Sequence, residues 1–150
     1  MTGGGNPARI HALGEIAIRC RDLPTMRAFY RDVVGLEILR DFSEASGIVF
    51  FRIAPGHGGH TTVLALFDPS AGAARGHKTG QMPVTGAGSS LHHLALTVDH
   101  AAQDPLRAFL DRKGVPHRTE QFDWIGWRGI FIEDPEGNTV EFVAGVPQYS

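Results

Sequence analysis

One pattern in this sequence occurs twice, and that duplication constrains the fold more than any other feature. The string Glu15-Ile16-Ala17-Ile18-Arg19-Cys20 alternates with period two, placing Ile16, Ile18 and Cys20 on one face and Glu15, Ala17 and Arg19 on the other, as in a half-buried strand. Asp22 then offers an N-cap and Pro24 a first-turn residue, and Leu23, Met26, Phe29, Tyr30, Val33 and Val34 recur at helical spacing until Gly35 offers a left-handed stop. A shift of 78 carries Glu15 onto His93, where His93-Leu94-Ala95-Leu96-Thr97-Val98 alternates again, and a shift of 79 carries Gly35 onto Gly114. Between them, Asp104-Pro105 is expected to cap a helix bearing Leu106, Phe109 and Leu110. Strands are expected at 36–41, 48–53 and 61–67, with a loop at 55–59. Their counterparts are expected at 117–121, 129–132 and 139–144, with Asp134-Pro135-Glu136-Gly137-Asn138 as the tight turn before the last. A unit this long that occurs only twice is not a solenoid repeat.

The expectation is therefore an α+β domain of two paired βαβββ modules, forming a curved mixed sheet around a central cavity with helices on the convex side. Residues 1–12 form a flexible N-terminal segment, 13–67 the first module and 91–146 the second. Residues 68–90, rich in small turn-forming residues, link them. A chain of 150 residues is long enough to bury such a core without crosslinks. Its single cysteine, Cys20, excludes an intrachain disulfide and any thiolate-rich metal site.

Composition narrows the partners. Fourteen Lys and Arg against sixteen Asp and Glu, a formal net charge of −2, provide neither a nucleic-acid footprint nor a polybasic membrane surface. No apolar run approaches the roughly 18 residues that cross a bilayer, and the opening Met1-Thr2-Gly3-Gly4-Gly5 lacks the features of a secretory signal, so a cytoplasmic protein with a small-molecule partner is expected.

If the aliphatic faces pack on the helices, then Glu15, His93 and Glu141 fall together on the opposite face. Glu141 sits between Val140 and Phe142 in an apolar strand, where an unpartnered carboxylate would be costly. Two carboxylates and an imidazole converging in a cavity match the needs of a divalent cation and leave positions for water or substrate. Each residue also has a plainer reading: Glu15 as a carboxylate paired with Arg19 or Arg52, Glu141 as a salt-bridge partner of Arg19 or Arg128, His93 as a pocket histidine. Arg52 is expected to face the cavity as a counter-charge. Trp124, Trp127 and Arg128, around Gly126, suit a flat or anionic ligand or else close the core. His92 falls by parity on the helix side as a packed histidine. His57 and His60 lie in the glycine-rich loop, and Cys20 is expected to be an inert core residue.

The stretch Asp22-Leu23 to Phe29-Tyr30-Arg31-Asp32-Val33-Val34-Gly35-Leu36, the string Leu91-His92-His93-Leu94-Ala95, and Arg128 through Asp134-Pro135-Glu136-Gly137-Asn138-Thr139-Val140-Glu141-Phe142 resemble the vicinal oxygen chelate superfamily. That group includes glyoxalase I, extradiol dioxygenases, fosfomycin-modifying enzymes, methylmalonyl-CoA epimerase and bleomycin-resistance proteins. The resemblance implies a divalent ion (Fe²⁺, Mn²⁺, Zn²⁺, Mg²⁺ or Ni²⁺) held by Glu15, His93 and Glu141, a substrate with two adjacent oxygens, and a homodimer. Glu15 stands where family members usually have His or Gln, which hardens the site toward Mn²⁺, Mg²⁺ or Fe²⁺, and the family's fourth position is expected at Val63 or Leu64. The activity implied is ring cleavage by dioxygen or lyase or isomerase chemistry, with Glu15 as general base if it leaves the ion. The alternative is a metal-free drug- or antibiotic-binding protein of the resistance type.

Overall fold

The computed structural model describes residues 4–71 and 82–147, so residues 1–3 of the expected N-terminal segment and 72–81 of the expected linker lie outside the described residues. Strand β1 (Glu15–Arg19), helix α1 (Leu23–Asp32) and strands β2 (Glu37–Phe42), β3 (Ile48–His57) and β4 (His60–Phe67) make the first βαβββ unit. Strand β5 (Leu94–Thr97), helix α2 (Gln103–Lys113) and strands β6 (Arg118–Phe122), β7 (Trp127–Glu133) and β8 (Thr139–Gly145) make the second. Each unit is a four-stranded mixed sheet, ordered β1-β4-β3-β2 and β5-β8-β7-β6, in which only the first strand pairs in parallel. Strand pairing stops at the boundary between units, giving two sheets that share one core.

Local chemistry accounts for the helix ends. Asp22 caps α1 by accepting from the Thr25 amide at 3.2 Å and the Thr25 hydroxyl at 2.7 Å, while Leu23, Met26 and Tyr30 bury one stripe of the helix. Gly35 and Gly114 take the positive φ values expected of helix stops, +84° and +69°. The start of α2 differs from expectation. A single 3₁₀ turn, His100–Ala102, leads directly into a helix that begins at Gln103, and Asp104 lies inside its first turn instead of capping it. The reason is tertiary: the buried amide of Gln103 donates to the carbonyls of Arg128 at 2.8 Å and Phe142 at 3.1 Å, fixing the helix entry on the sheet. The expected loop at 55–59 is also shorter than anticipated. Strands β3 and β4 run on to a two-residue turn at Gly58-Gly59, where both residues need positive φ, as in the hairpin turns that match strand twist.

The aliphatic faces of both sheets merge in one cluster, in which Met26, Tyr30, Val49, Phe51, Leu64 and Leu66 meet Leu94, Leu96, Leu110, Ile130, Val140 and Phe142. On the far side, Glu15, Ala17, Arg19, Ala95 and Thr97 are exposed, as strand parity predicted. The units are also joined by polar contacts. Both carboxylate oxygens of Glu136 accept backbone amides ahead of α1, from Arg21 at 2.7 Å and Asp22 at 3.0 Å. No helix among the described residues is long and apolar enough to cross a membrane.

Candidate functional site

The register of the second sheet aligns Ala95, Glu141, Phe131 and Arg118 in one row, all on the face turned away from the helices. Glu141 is 5% exposed in the middle of β8, although its strand face is the open one. Its carboxylate lies over Gly129: a Cβ at that position would collide with Glu141 Oε1 and approach the Phe131 ring at 2.9 Å. Glycine inside a strand here marks a close approach by a neighbouring group. Burial pushes the Glu141 carboxyl above its ordinary value, opposed by the charge and hydrogen bond of His93, reinforced by Glu120 and reduced by Arg118.

His93 reaches this carboxylate, with Nε2 3.1 Å from Glu141 Oε2. The ring stands edge-on to Phe131 at 6.1 Å, and the other ring nitrogen, Nδ1, lies 2.7 Å from Nδ1 of His92. Arg118 stacks its guanidinium 4.1 Å from the Phe131 ring centroid while holding Glu120 at 2.6 Å. Beside Phe131 and Arg118 opens a cavity of about 670 Å³, also lined by His117, Glu133 and Thr139. The site thus combines a nitrogen donor and a desolvated oxygen donor facing each other, an aromatic wall and a cation.

Glu15 lies elsewhere. It opens β1 in the first sheet, exposed, in a row with Val63, Arg52 and Glu37. Among the described residues no group of three or more His, Cys, Asp or Glu is placed to hold a metal ion, so the fold brings His93 and Glu141 together and leaves Glu15 outside the pair. The first sheet's counterpart of Glu141 also differs from expectation. Ala95 pairs with Glu141 as Ala17 pairs with Ala65, so the equivalent position is Ala65, and not Val63 or Leu64; it is fully buried and carries no donor.

Arg52 is exposed on the Glu15 face. Trp127 opens β7 on the same face as Phe131 and is 45% exposed, and Trp124, in the preceding turn, is 81% exposed, so neither closes the core. Arg128 faces the other way. One residue beyond Trp127, it turns toward α2, where Nε donates to Gln103 Oε1 at 2.7 Å and Nη2 approaches Asp104 at 3.8 Å. It braces helix to sheet and does not face His93. His92, expected on the packed side, is exposed and bonded to His93 instead, because β5 begins only at Leu94 and parity does not extend before it. His57 stacks on His11 with ring centroids 4.0 Å apart at the hairpin end of the first sheet. Cys20 is fully buried and its thiol is pushed up by burial.

Phe131, Arg118 and Gly129 escaped the sequence reading. Period-two spacing from Trp127 through Gly129 to Phe131 was the available signal, and the strand glycine in it was a second.

His93 and Glu141 can supply two adjacent ligands of mixed nitrogen and oxygen character, suited to a divalent first-row ion, and a cation there would offset the desolvation of the carboxylate. Comparison with known proteins agrees with the architecture. A lactoylglutathione lyase from Agrobacterium tumefaciens is 30% identical and superposes with a TM-score of 0.66 over 93% of this chain and 96% of that one. A variant of the fosfomycin resistance protein FosX from Listeria monocytogenes, complexed with Mn(II) and 1S,2S-dihydroxypropylphosphonic acid, has a TM-score of 0.66 at 16% identity, covering 94% and 97% of the two chains. The uncharacterized protein YwbC of Bacillus subtilis (strain 168) is 23% identical over 132 residues, 87% of this chain and 94% of that protein. The model of the Glyoxalase/Bleomycin resistance protein/Dioxygenase superfamily matches residues 12–142, spanning both βαβββ units and the His93–Glu141 pair, and the chain belongs to that superfamily.

Proposed function

We propose that the protein is a metal-dependent enzyme of this superfamily, acting on a small molecule that presents two adjacent oxygens, with His93 and Glu141 holding a divalent ion. The observation that carries this reading is the meeting of His93 with a buried, desolvated Glu141 on the open face of the second sheet. The lactoylglutathione lyase likeness and the Mn(II) bound to the FosX relative support it. A bound divalent ion acts as a Lewis acid toward adjacent oxygens. The chain supplies the rest: Phe131 and Trp127 provide apolar walls, Arg118 a positive charge for an anionic substrate, and Ala95 free space beside the carboxylate. Either lyase or isomerase chemistry, or dioxygenase chemistry, is compatible with this set.

Glu15 is the third ligand or the base in this reading, and Arg52 lies on its face. Both occupy the exposed face of the first sheet, so a homodimer that apposes the open face of one sheet to that of its partner would bring Glu15 toward His93 and Glu141. Elemental analysis of protein purified without chelator tests the reading. Near one divalent ion per chain, absent from His93→Ala, is the expected result; equal metal in both proteins overturns it. Oxygen uptake with catechols under Fe²⁺ then separates dioxygenase from non-redox chemistry.

The exposure of Trp124 and Trp127 favours a second reading, a metal-free binder of aromatic or antibiotic molecules. Quenching of tryptophan fluorescence by such compounds in excess chelator, with no metal retained, would replace the first reading with this one.

A further inference from the structure

His92 is not among the residues that face the cation in the reading above, yet it makes the closest polar contact of the proposed ligand His93. We infer that His92 is the positioning residue that sets the ring orientation and tautomer of His93 for metal binding; this rests on His93 and Glu141 being the ligands.

The geometry is restrictive. Two Nδ1 atoms 2.7 Å apart must share one proton, since two lone pairs would repel and two N–H groups would clash. With Nε2 of His93 giving its lone pair to a cation beside Glu141, the ring proton sits on Nδ1, and His92 Nδ1 must accept it. The proton of His92 is then on Nε2, on an exposed ring that water can satisfy. In the absence of a cation, His93 Nε2–H donates to Glu141 and both rings carry the opposite tautomer. As a cation takes its place, the His93 Nε2 proton leaves to solvent, the shared proton moves from His92 Nδ1 to His93 Nδ1, and His92 Nε2 takes one from solvent, so no net proton enters or leaves. Partners on the outer nitrogen of a ligating histidine fix its plane and raise its basicity. Edge-on packing against Phe131 steers the His93 ring but offers no acceptor to Nδ1, so that function falls to His92.

The test is Mn²⁺ affinity, read from free Mn²⁺ by electron paramagnetic resonance, for the wild type, His92→Phe, His92→Asn and His93→Ala. Phenylalanine keeps the ring and removes the acceptor; the Asn carbonyl oxygen restores an acceptor near the position of Nδ1. His92→Phe should weaken Mn²⁺ binding about 10- to 100-fold, His92→Asn should recover most of that loss, and His93→Ala should abolish binding. Wild-type affinity in His92→Phe, with binding lost in His93→Ala, overturns the inference and leaves the metal reading standing. Equal losses in His92→Phe and His92→Asn also overturn it, because an acceptor then has no effect. Wild-type protein that binds no Mn²⁺, or His93→Ala that binds normally, overturns both.

Discussion

The hydroxyl of Tyr30 donates a 2.8 Å hydrogen bond to Oδ2 of Asp134, joining the first helix to the last tight turn across 104 residues of chain. Both residues are buried, and the same carboxylate accepts the amides of Glu136 and Asn138 and the side-chain amide of Asn138, so every strong acceptor direction is used. Burial and the neighbouring Asp134 push the Tyr30 hydroxyl far above its ordinary value, which keeps it a donor throughout the accessible pH range.

Tyr30→Phe should therefore destabilise the protein by about 1–2 kcal/mol, because Asp134 retains three other donors. Asp134→Ala should cost more than Tyr30→Phe, since it strands the Tyr30 hydroxyl and loosens the turn at once. Urea denaturation of both variants measures the difference, and the reverse ranking would show that the turn is held by other contacts.

Gly129→Ala places a methyl group against the Glu141 carboxylate and the Phe131 ring. The expected outcome is a displaced Glu141, with Mn²⁺ affinity reduced at least as much as in Glu141→Gln and stability lowered by about 1–3 kcal/mol. Isothermal titration with Mn²⁺ checks it. Binding like the wild type would mean the carboxylate does not need to lie over this glycine.

Glu141 is raised by burial more than His93 lowers it, which fixes the sign of a pH effect. A folded-state value above the unfolded one means that the folded protein holds the proton more tightly. Stability from this residue is present below the ordinary glutamate range and lost as pH rises through the raised value. In chelator, wild-type protein should lose stability relative to Glu141→Gln as pH rises above the ordinary glutamate range. Parallel denaturation midpoints for the two proteins across that rise would contradict it.

Cys20 is sealed in the core at the end of the first strand, with its thiol raised by burial. Ellman's reagent should fail to label the native protein and should label it fully in denaturant, at a rate that follows unfolding. The sign above the ordinary thiol range is equally definite: the unfolded chain loses its proton while the folded one keeps it, so stability falls as pH rises there. Rapid native labelling would show that the core opens locally at this strand.

Much of this architecture was legible because strands have a period of two. The faces of β1, β5 and β8 follow from alternation, and a glutamate between Val140 and Phe142 announces a group on the open side that needs a partner. Where an element is anchored by distant residues, alternation says less. Asp104-Pro105 reads as a helix start, yet the buried Gln103 amide on two strand carbonyls sets that start instead. Adjacency groups Arg128 with Trp127, although neighbours in a strand face opposite ways. Glu15 and His93 occupy matching places in two copies of one unit, but in two separate sheets, and alternation within each strand says nothing of how the two sheets are placed.

The contact between Glu136 and the amides of Arg21 and Asp22 carries a lesson about synthesis. A chain emerging from the ribosome exposes the start of its first helix long before it makes the carboxylate that covers those amides. During that interval the first half has its local capping from Asp22, but neither its outer clamp nor the apolar wall of the second sheet. Contacts of such long sequence separation form late and slow the closing step. Truncation ahead of residue 136 should consequently leave a first half that lacks this clamp and keeps its apolar face uncovered.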